Sequence, residues 1–312
     1  MTEEIRHKPY LTGILLMCLA TVFMVGLDAT ARLLLETYAL PQLALLRCLF
    51  SMLIIFSWAV VRDQTGRLAT RRPGWHAFRS LLMAASMFAF FHALRFIPLA
   101  DVVCIAFAAP LIITSLSQPF LGERVGVWRW TAVIVGFVGV VIVIRPGAGL
   151  LHPAALIALG GAVAYAGLAL TARKLSTSES TVALSFYSFI ISLLIGSVLS
   201  VDYWLQPGVF DWLLFALCGG CGGMAFICMN AAYARAPAAL IVPFEYTGLI
   251  WAATIGYLMW NEIPTMTTWL GAALIVSSGL FILYREAVTS DSSDPGTSFP
   301  LQEAVAGVDE EP

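Results

Sequence analysis

Ten runs of apolar residues follow one another along the chain, at roughly 10–31, 41–61, 75–96, 100–121, 126–145, 153–172, 182–201, 210–233, 238–260 and 265–284. Each approaches the length of about 20 mostly apolar residues that a helix needs to cross a bilayer. Apolar positions within a run are continuous rather than alternating, so helices are the remaining way to span. Tryptophans punctuate many run ends, among them Trp75, Trp128, Trp130, Trp204, Trp212, Trp260 and Trp269, where interfacial rings are expected. The pattern predicts an all-α membrane protein of ten transmembrane helices, with short connections and no inserted soluble domain.

Composition removes the soluble alternative. Of 312 residues, 60% are hydrophobic and 12% charged, and the mean hydropathy is +0.87; a soluble domain carries about 25% charged residues. The net charge of −2 gives no bulk electrostatic case for nucleic acid. All six cysteines lie inside apolar runs, and Cys218 and Cys221, though spaced as C-x-x-C, have no histidine or second pair nearby. They read as small packing residues, and no cofactor or metal is expected.

Basic residues set the orientation. With the N-terminus inside, the cytoplasmic side collects Arg6, Lys8, Arg62, Arg67, Arg71, Arg72, Arg79, Arg124, Arg129, Arg173, Lys174, Arg235 and Arg285, against Arg32, Arg95 and Arg145 outside. Both termini are therefore expected inside: residues 1–9 as a cytoplasmic N-terminus and 285–312 as a disordered tail of Ser, Asp, Pro, Gly and Glu.

The chain also repeats itself. At an offset of 139, the stretch Ala93–Arg145 returns as Ala232–Tyr284: Pro98 meets Pro237, Ala100 meets Ala239, Glu123 meets Glu262 and Trp130 meets Trp269. Thr30-Ala31-Arg32 matches Thr171-Ala172-Arg173 at an offset of 141. That second match extends the repeat to the first run and favours its retention over removal as a signal peptide. Two halves result, 10–145 and 153–284, of five runs each. Five is odd, so the second half enters the membrane upside down. Inverted repeats are the architecture of alternating-access carriers, with the binding site near the midplane between the halves. The copies part at two places: Pro110 faces Leu249, and Glu245 faces Ala106.

Ionisable groups deep in a span are costly and are functional candidates by default. Glu245 lies seven residues into the ninth run, about 10 Å from its inner end at 1.5 Å per residue, beside Tyr246 and with Trp251 on the same run. It is read as exchanging a proton or meeting a cation, or else as a hydrogen-bonded tie to a neighbouring helix. Arg47, about 9 Å into the second run, either holds a substrate carboxylate or pairs with Asp28. His92 and Asp101 lie near outer ends, Asn230 near an inner one, and Tyr165 in mid-run. Pro110 bends the fourth run and leads to a polar stripe of Thr114, Ser117 and Gln118. Ser185, Ser188 and Ser192 form a second stripe, and Gly219, Gly223, Gly248, Ala252 and Gly256 are small residues that let helices approach. No Walker loop, zinc motif or Ser/His/Asp arrangement is present, so neither an ATP-driven pump nor an enzyme is indicated.

Ten spans in an inverted five-plus-five duplication, each half with a proline-led run into an acidic turn, resemble the EamA-type members of the drug/metabolite transporter superfamily. The carrying residues are Pro98 through Gly122-Glu123, and Pro237 through Pro243-Phe244-Glu245-Tyr246 to Asn261-Glu262-Ile263-Pro264. The resemblance covers residues 10 to about 285. It implies a multi-pass bacterial inner-membrane exporter of small amphipathic solutes, amino acids first, with a central cavity between the halves; the small-residue packing points to a monomer and Glu245 makes protons a candidate coupling ion. Uptake or exchange of a nucleoside-like metabolite such as an adenosyl compound is the alternative, because some relatives with a Glu at the position of Glu245 resemble uptake carriers. A non-transporting membrane subunit is a further alternative. The turns at Glu123 and Glu262 read as structural, and Glu245, Tyr246, Trp251, Arg47, His92, Tyr165, Asn230 and Pro110 are the expected cavity residues.

Overall fold

The computed structural model describes residues 3–121, 127–144, 153–175, 178–233, 235 and 242–291. Twelve α-helices order these residues: α1 (Glu3–Leu35), α2 (Leu40–Val61), α3 (Pro73–Leu94), α4 (Leu99–Ala106), α5 (Ala108–Leu121), α6 (Val127–Ile144), α7 (Pro153–Leu175), α8 (Thr181–Ser188), α9 (Ile190–Leu199), α10 (Val209–Tyr233), α11 (Thr247–Trp260) and α12 (Met266–Asp291). Among the described residues, seven helical stretches are long and apolar enough to cross a membrane, and Trp130–Ile144 and Met266–Ile282 are shorter apolar helices. Large side chains such as Val61, Leu258 and Phe210 stay exposed around the outside, as a lipid-facing surface requires. The acidic turn at Glu123, residues Pro237 and Ala239, and the tail from residue 292 lie outside the described residues.

Three runs depart from the continuous helices expected of them. The run 100–121 is divided at Phe107, three residues before Pro110. Proline has no N–H for the Ala106 carbonyl and its ring clashes with that carbonyl, so the helix yields one turn upstream. The run 182–201 is divided at Phe189, where Ser80 of α3 enters the helical ladder: its hydroxyl donates to the Ser188 carbonyl (3.0 Å) and accepts the Ile191 N–H (2.7 Å). The run 238–260 is described from Val242, as a 3-10 turn over Val242–Tyr246 and then α11. Pro243 removes a donor and constrains the residue before it, so Glu245 sits in a tight turn and not in a regular α-helix. The tail also begins later than expected, because α12 continues to Asp291.

Packing interleaves the two halves of the chain. The most extensive contacts join α1 with α10, α6 with α12, α3 with α7 and α2 with α10, and one hydrophobic core runs through both halves. Backbones meet where glycines allow it. A Cβ on Gly139 would stand 2.7 Å from the Gly271 carbonyl oxygen, and one on Gly271 2.6 Å from that of Gly139, so α6 and α12 pack only as they are. Gly219 lies against the Arg47 backbone in the same way, whereas the spaces at Gly248 and Gly256 are ordinary. Close packing by small residues therefore holds for α10 and not for α11.

Polar ties close each end of the bundle. At one end Glu262 accepts two hydrogen bonds from the Arg32 guanidinium, one at 2.7 Å, and takes the Leu99 N–H at 3.3 Å. The guanidinium also stacks over Trp260, 4.4 Å from the ring centroid. Asn261, left-handed at φ 54°, caps α11 and turns Glu262 toward Arg32. Asp101 accepts from Thr268 (2.7 Å) at the same end, a structural contact. At the opposite end His76 meets Glu179 at 3.3 Å, and Arg79 donates to the Leu168 carbonyl (2.7 Å) and the Thr171 hydroxyl (3.1 Å).

Candidate functional site

The broken helices point to one place. The break between α4 and α5 and the turn before α11 lie against each other, and the rings of Phe107 and Tyr246 are 5.1 Å apart at their centroids. These two residues are separated by 139 positions, the repeat offset, so the contact joins equivalent points of the two copies. Tyr246 is held from behind by α12: a Cβ on Gly279 would overlap its hydroxyl. Thr247 donates to the Phe244 carbonyl (2.6 Å) and lies 3.0 Å from the Thr21 hydroxyl, which ties the turn to α1.

Beside this junction lies a cavity of about 240 Å³. It is bordered by residues of α1, α2, α3, α4, α5, α7 and α10 and by the turn that leads into α11. Its walls are mainly apolar and soft: Met17, Met24, Met83, Met87 and Met229, with Phe90, Phe91, Phe107 and Phe226. Thioethers and rings of this kind adapt to flat, polarisable molecules. Among them stand Glu245, Asp28, Arg47 and Tyr165. A mostly apolar cavity with a few convergent polar groups is the usual form of a small-molecule site.

Arg47 is 5% exposed, with its guanidinium carbon 5.0 Å from the centroid of Phe91. Its Nε and Nη1 make no hydrogen bond to any described residue. Asp28, 8% exposed, shares the cavity and feels the charge of Arg47, yet the two form no ion pair among the described residues. The Asp28–Arg47 pair that accounts for Arg47 structurally is therefore not made.

Of the residues singled out in the sequence, Glu245, Arg47, Tyr165 and Pro110 line the cavity. Three do not. Tyr246 is buried behind the wall against Phe107. Trp251 is 39% exposed on the outer face of α11 and does not border the cavity. His92 sits in the last turn of α3 with its ring 5.0 Å from Phe96. The Asn230, Ser117 and Gln118 side chains lie outside the described residues. Thr114 donates to the Pro110 carbonyl (3.0 Å). Cys218 packs against the Leu27 carbonyl at 3.7 Å. Sequence reasoning missed the methionines and phenylalanines of the wall. Phe107 alone carried a signal, its equivalence with Tyr246.

The chain has counterparts among known proteins. The model of the EamA-like transporter family matches the chain twice, over residues 11–145 and 152–284. The chain belongs to that family. It is a multi-pass bacterial membrane protein of a transporter fold. Its relatives include an S-adenosylmethionine uptake transporter of Rickettsia bellii, 31% identical over 78% of this chain and 84% of the relative. A riboflavin transporter of Vibrio cholerae is 29% identical over 92% and 97%, and a pseudopaline exporter of Pseudomonas aeruginosa 24% over 85% and 93%. A solved crystal structure shares the fold, with a TM-score of 0.60 at 20% identity over 90% of this chain and 99% of that one. These three relatives are named as transporters of S-adenosylmethionine, riboflavin and pseudopaline.

Proposed function

We propose that the chain is a secondary transporter that carries one small amphipathic metabolite at a time across the bacterial inner membrane by alternating access. Ten spans would form two inverted repeats, 10–145 and 153–284, with both termini inside. The pattern of helix contacts supports this reading. The repeat exchanges α1 with α7 and α3 with α10, and the contact of α1 with α10 has its mirror in that of α3 with α7. The fifth and tenth runs, α6 and α12, meet each other as a symmetric pair must.

The observation that carries the function is the cavity itself, lying where two broken helices meet and bordered by both halves. Its volume of about 240 Å³ lies just under the range of about 300 Å³ upward that small-molecule sites occupy, so it has room for one small solute at a time. Methionine and phenylalanine walls with an acid and a guanidinium favour a solute with a flat ring and charged groups, and the adenosyl compound named for one relative has that form. Uptake or exchange of such a metabolite is the reading adopted. Amino-acid export remains the second reading, favoured by Arg47 and Asp28 in one cavity. Glu245 is the group proposed to exchange a proton or meet a cationic solute.

Counterflow in proteoliposomes tests this. Purified protein is screened with labelled S-adenosylmethionine, amino acids, riboflavin and nucleosides. Accumulation of an adenosyl compound is expected; flux of amino acids alone would replace it with the second reading, and absence of any flux would remove the carrier function.

A further inference from the structure

Among the polar groups of the cavity, Arg47 is the least accounted for. Its guanidinium is taken out of solvent between α2 and the Phe91 ring, and two of its three nitrogens lack a partner among the described residues. A buried cation without a closely bonded anion is costly. The ring face of Phe91 offsets part of this, and the charge of Asp28 another part without a bonded contact. Neither supplies a hydrogen-bond acceptor to Nε and Nη1. A carboxylate oxygen is the acceptor that such guanidinium N–H groups bond most strongly.

We propose that Arg47 is the subsite for a carboxylate of the transported solute, with Asp28 beside it to receive the ammonium of the same head group. The solute is then a metabolite with a zwitterionic amino-acid head, its remaining part lying against the methionines and rings. This deepens the carrier reading above and rests on it. It also separates solutes that the relatives leave open: S-adenosylmethionine has such a head, whereas riboflavin has no carboxylate.

The test compares solutes that differ only in the carboxylate. Binding to the purified full-length protein is measured by calorimetry for S-adenosylmethionine against its decarboxylated form, and for phenylalanine against phenethylamine. Riboflavin serves as the ring-bearing solute without a carboxylate. The carboxylate-bearing member of a pair is expected to bind about 10- to 100-fold more tightly, the range of a charge-assisted hydrogen-bonded contact. Arg47→Gln is expected to erase that ratio and Arg47→Lys to restore part of it, with elution as a single monodisperse species as the check on folding. Because the wild-type ratio needs no variant, it decides the matter even where Arg47→Gln fails to fold. A wild-type ratio within about twofold, or a full ratio persisting in Arg47→Gln, overturns the assignment. Binding and flux of riboflavin without any carboxylate-bearing solute overturn it too and leave the carrier reading standing. Failure of every solute to bind or cross overturns both.

Discussion

Glu245 reaches the cavity by an uncommon route. Pro243 prevents a regular helix, Thr247 ties the following turn to α1, and Gly279 leaves room for the Tyr246 hydroxyl behind it. A carboxyl held at that depth by so many constraints is expected to act on charge. Glu245→Gln keeps the size and removes the titration, so exchange should fall at least about tenfold or lose its pH dependence between about pH 5 and 8. Wild-type rates across that range in the variant would remove Glu245 from the mechanism. Its candidacy was legible in the sequence, because a carboxylate inside an apolar run stands out against its neighbours. So was that of Arg47. The wall of methionines and phenylalanines was not, since an apolar residue in an apolar run gives no contrast between lipid, core and cavity. Trp251 meets the same limit: its place on the run of Glu245 did not say which face of the helix turns to the cavity, and it is 39% exposed.

The elements gain their function from interruptions. Each of the three runs that the structure divides is broken where a side chain or a proline withholds a backbone partner: Pro110 for α4 and α5, Ser80 for α8 and α9, and Pro243 for the turn before α11. The apolar runs were plain from sequence alone, and Pro110 foretold a bend. The break at Phe189 was hidden because its cause, Ser80, sits more than a hundred positions away. The support of the Glu245 turn by α12 leads to a specific expectation. Gly279→Ala drives a methyl group into Tyr246, and overpacking of this kind costs about 1–3 kcal/mol. The variant should unfold at lower temperature and transport more slowly. Tyr246→Phe in the same chain should restore part of both, because it removes the clashing oxygen. Unchanged thermal unfolding and transport in Gly279→Ala would show that α12 does not brace the turn.

At the scale of the whole molecule, the repeat turns a list of helices into a machine with two related halves. The 139-residue offset made the two related halves readable before any coordinates, and with the basic-residue count it leads to the proposal that they are inverted. The interleaved packing was not readable, because contacts between distant runs leave no mark in hydropathy. Inversion makes a direct expectation. Thr37 and Ser178 are exposed in the loops after α1 and after α7 and are 141 positions apart, so they are repeat equivalents. In a cysteine-free background, Thr37→Cys should react with a membrane-impermeant maleimide on intact cells and Ser178→Cys only after permeabilisation. Labelling of both from one side would end the inverted-repeat reading.

Arg32 and Glu262 tie the two halves at one end while the cavity lies deeper, an arrangement suited to opening one end at a time. In an alternating carrier that exchanges solutes the return step is made with solute bound, so solute on the far side speeds entry from the near side. The most direct measurement is therefore entry of labelled S-adenosylmethionine into proteoliposomes preloaded with the unlabelled compound, compared with empty ones. Faster, transiently concentrative entry into the preloaded vesicles is the expected result. Equal entry into both, as through a pore, or no entry into either, would contradict alternating access through this cavity.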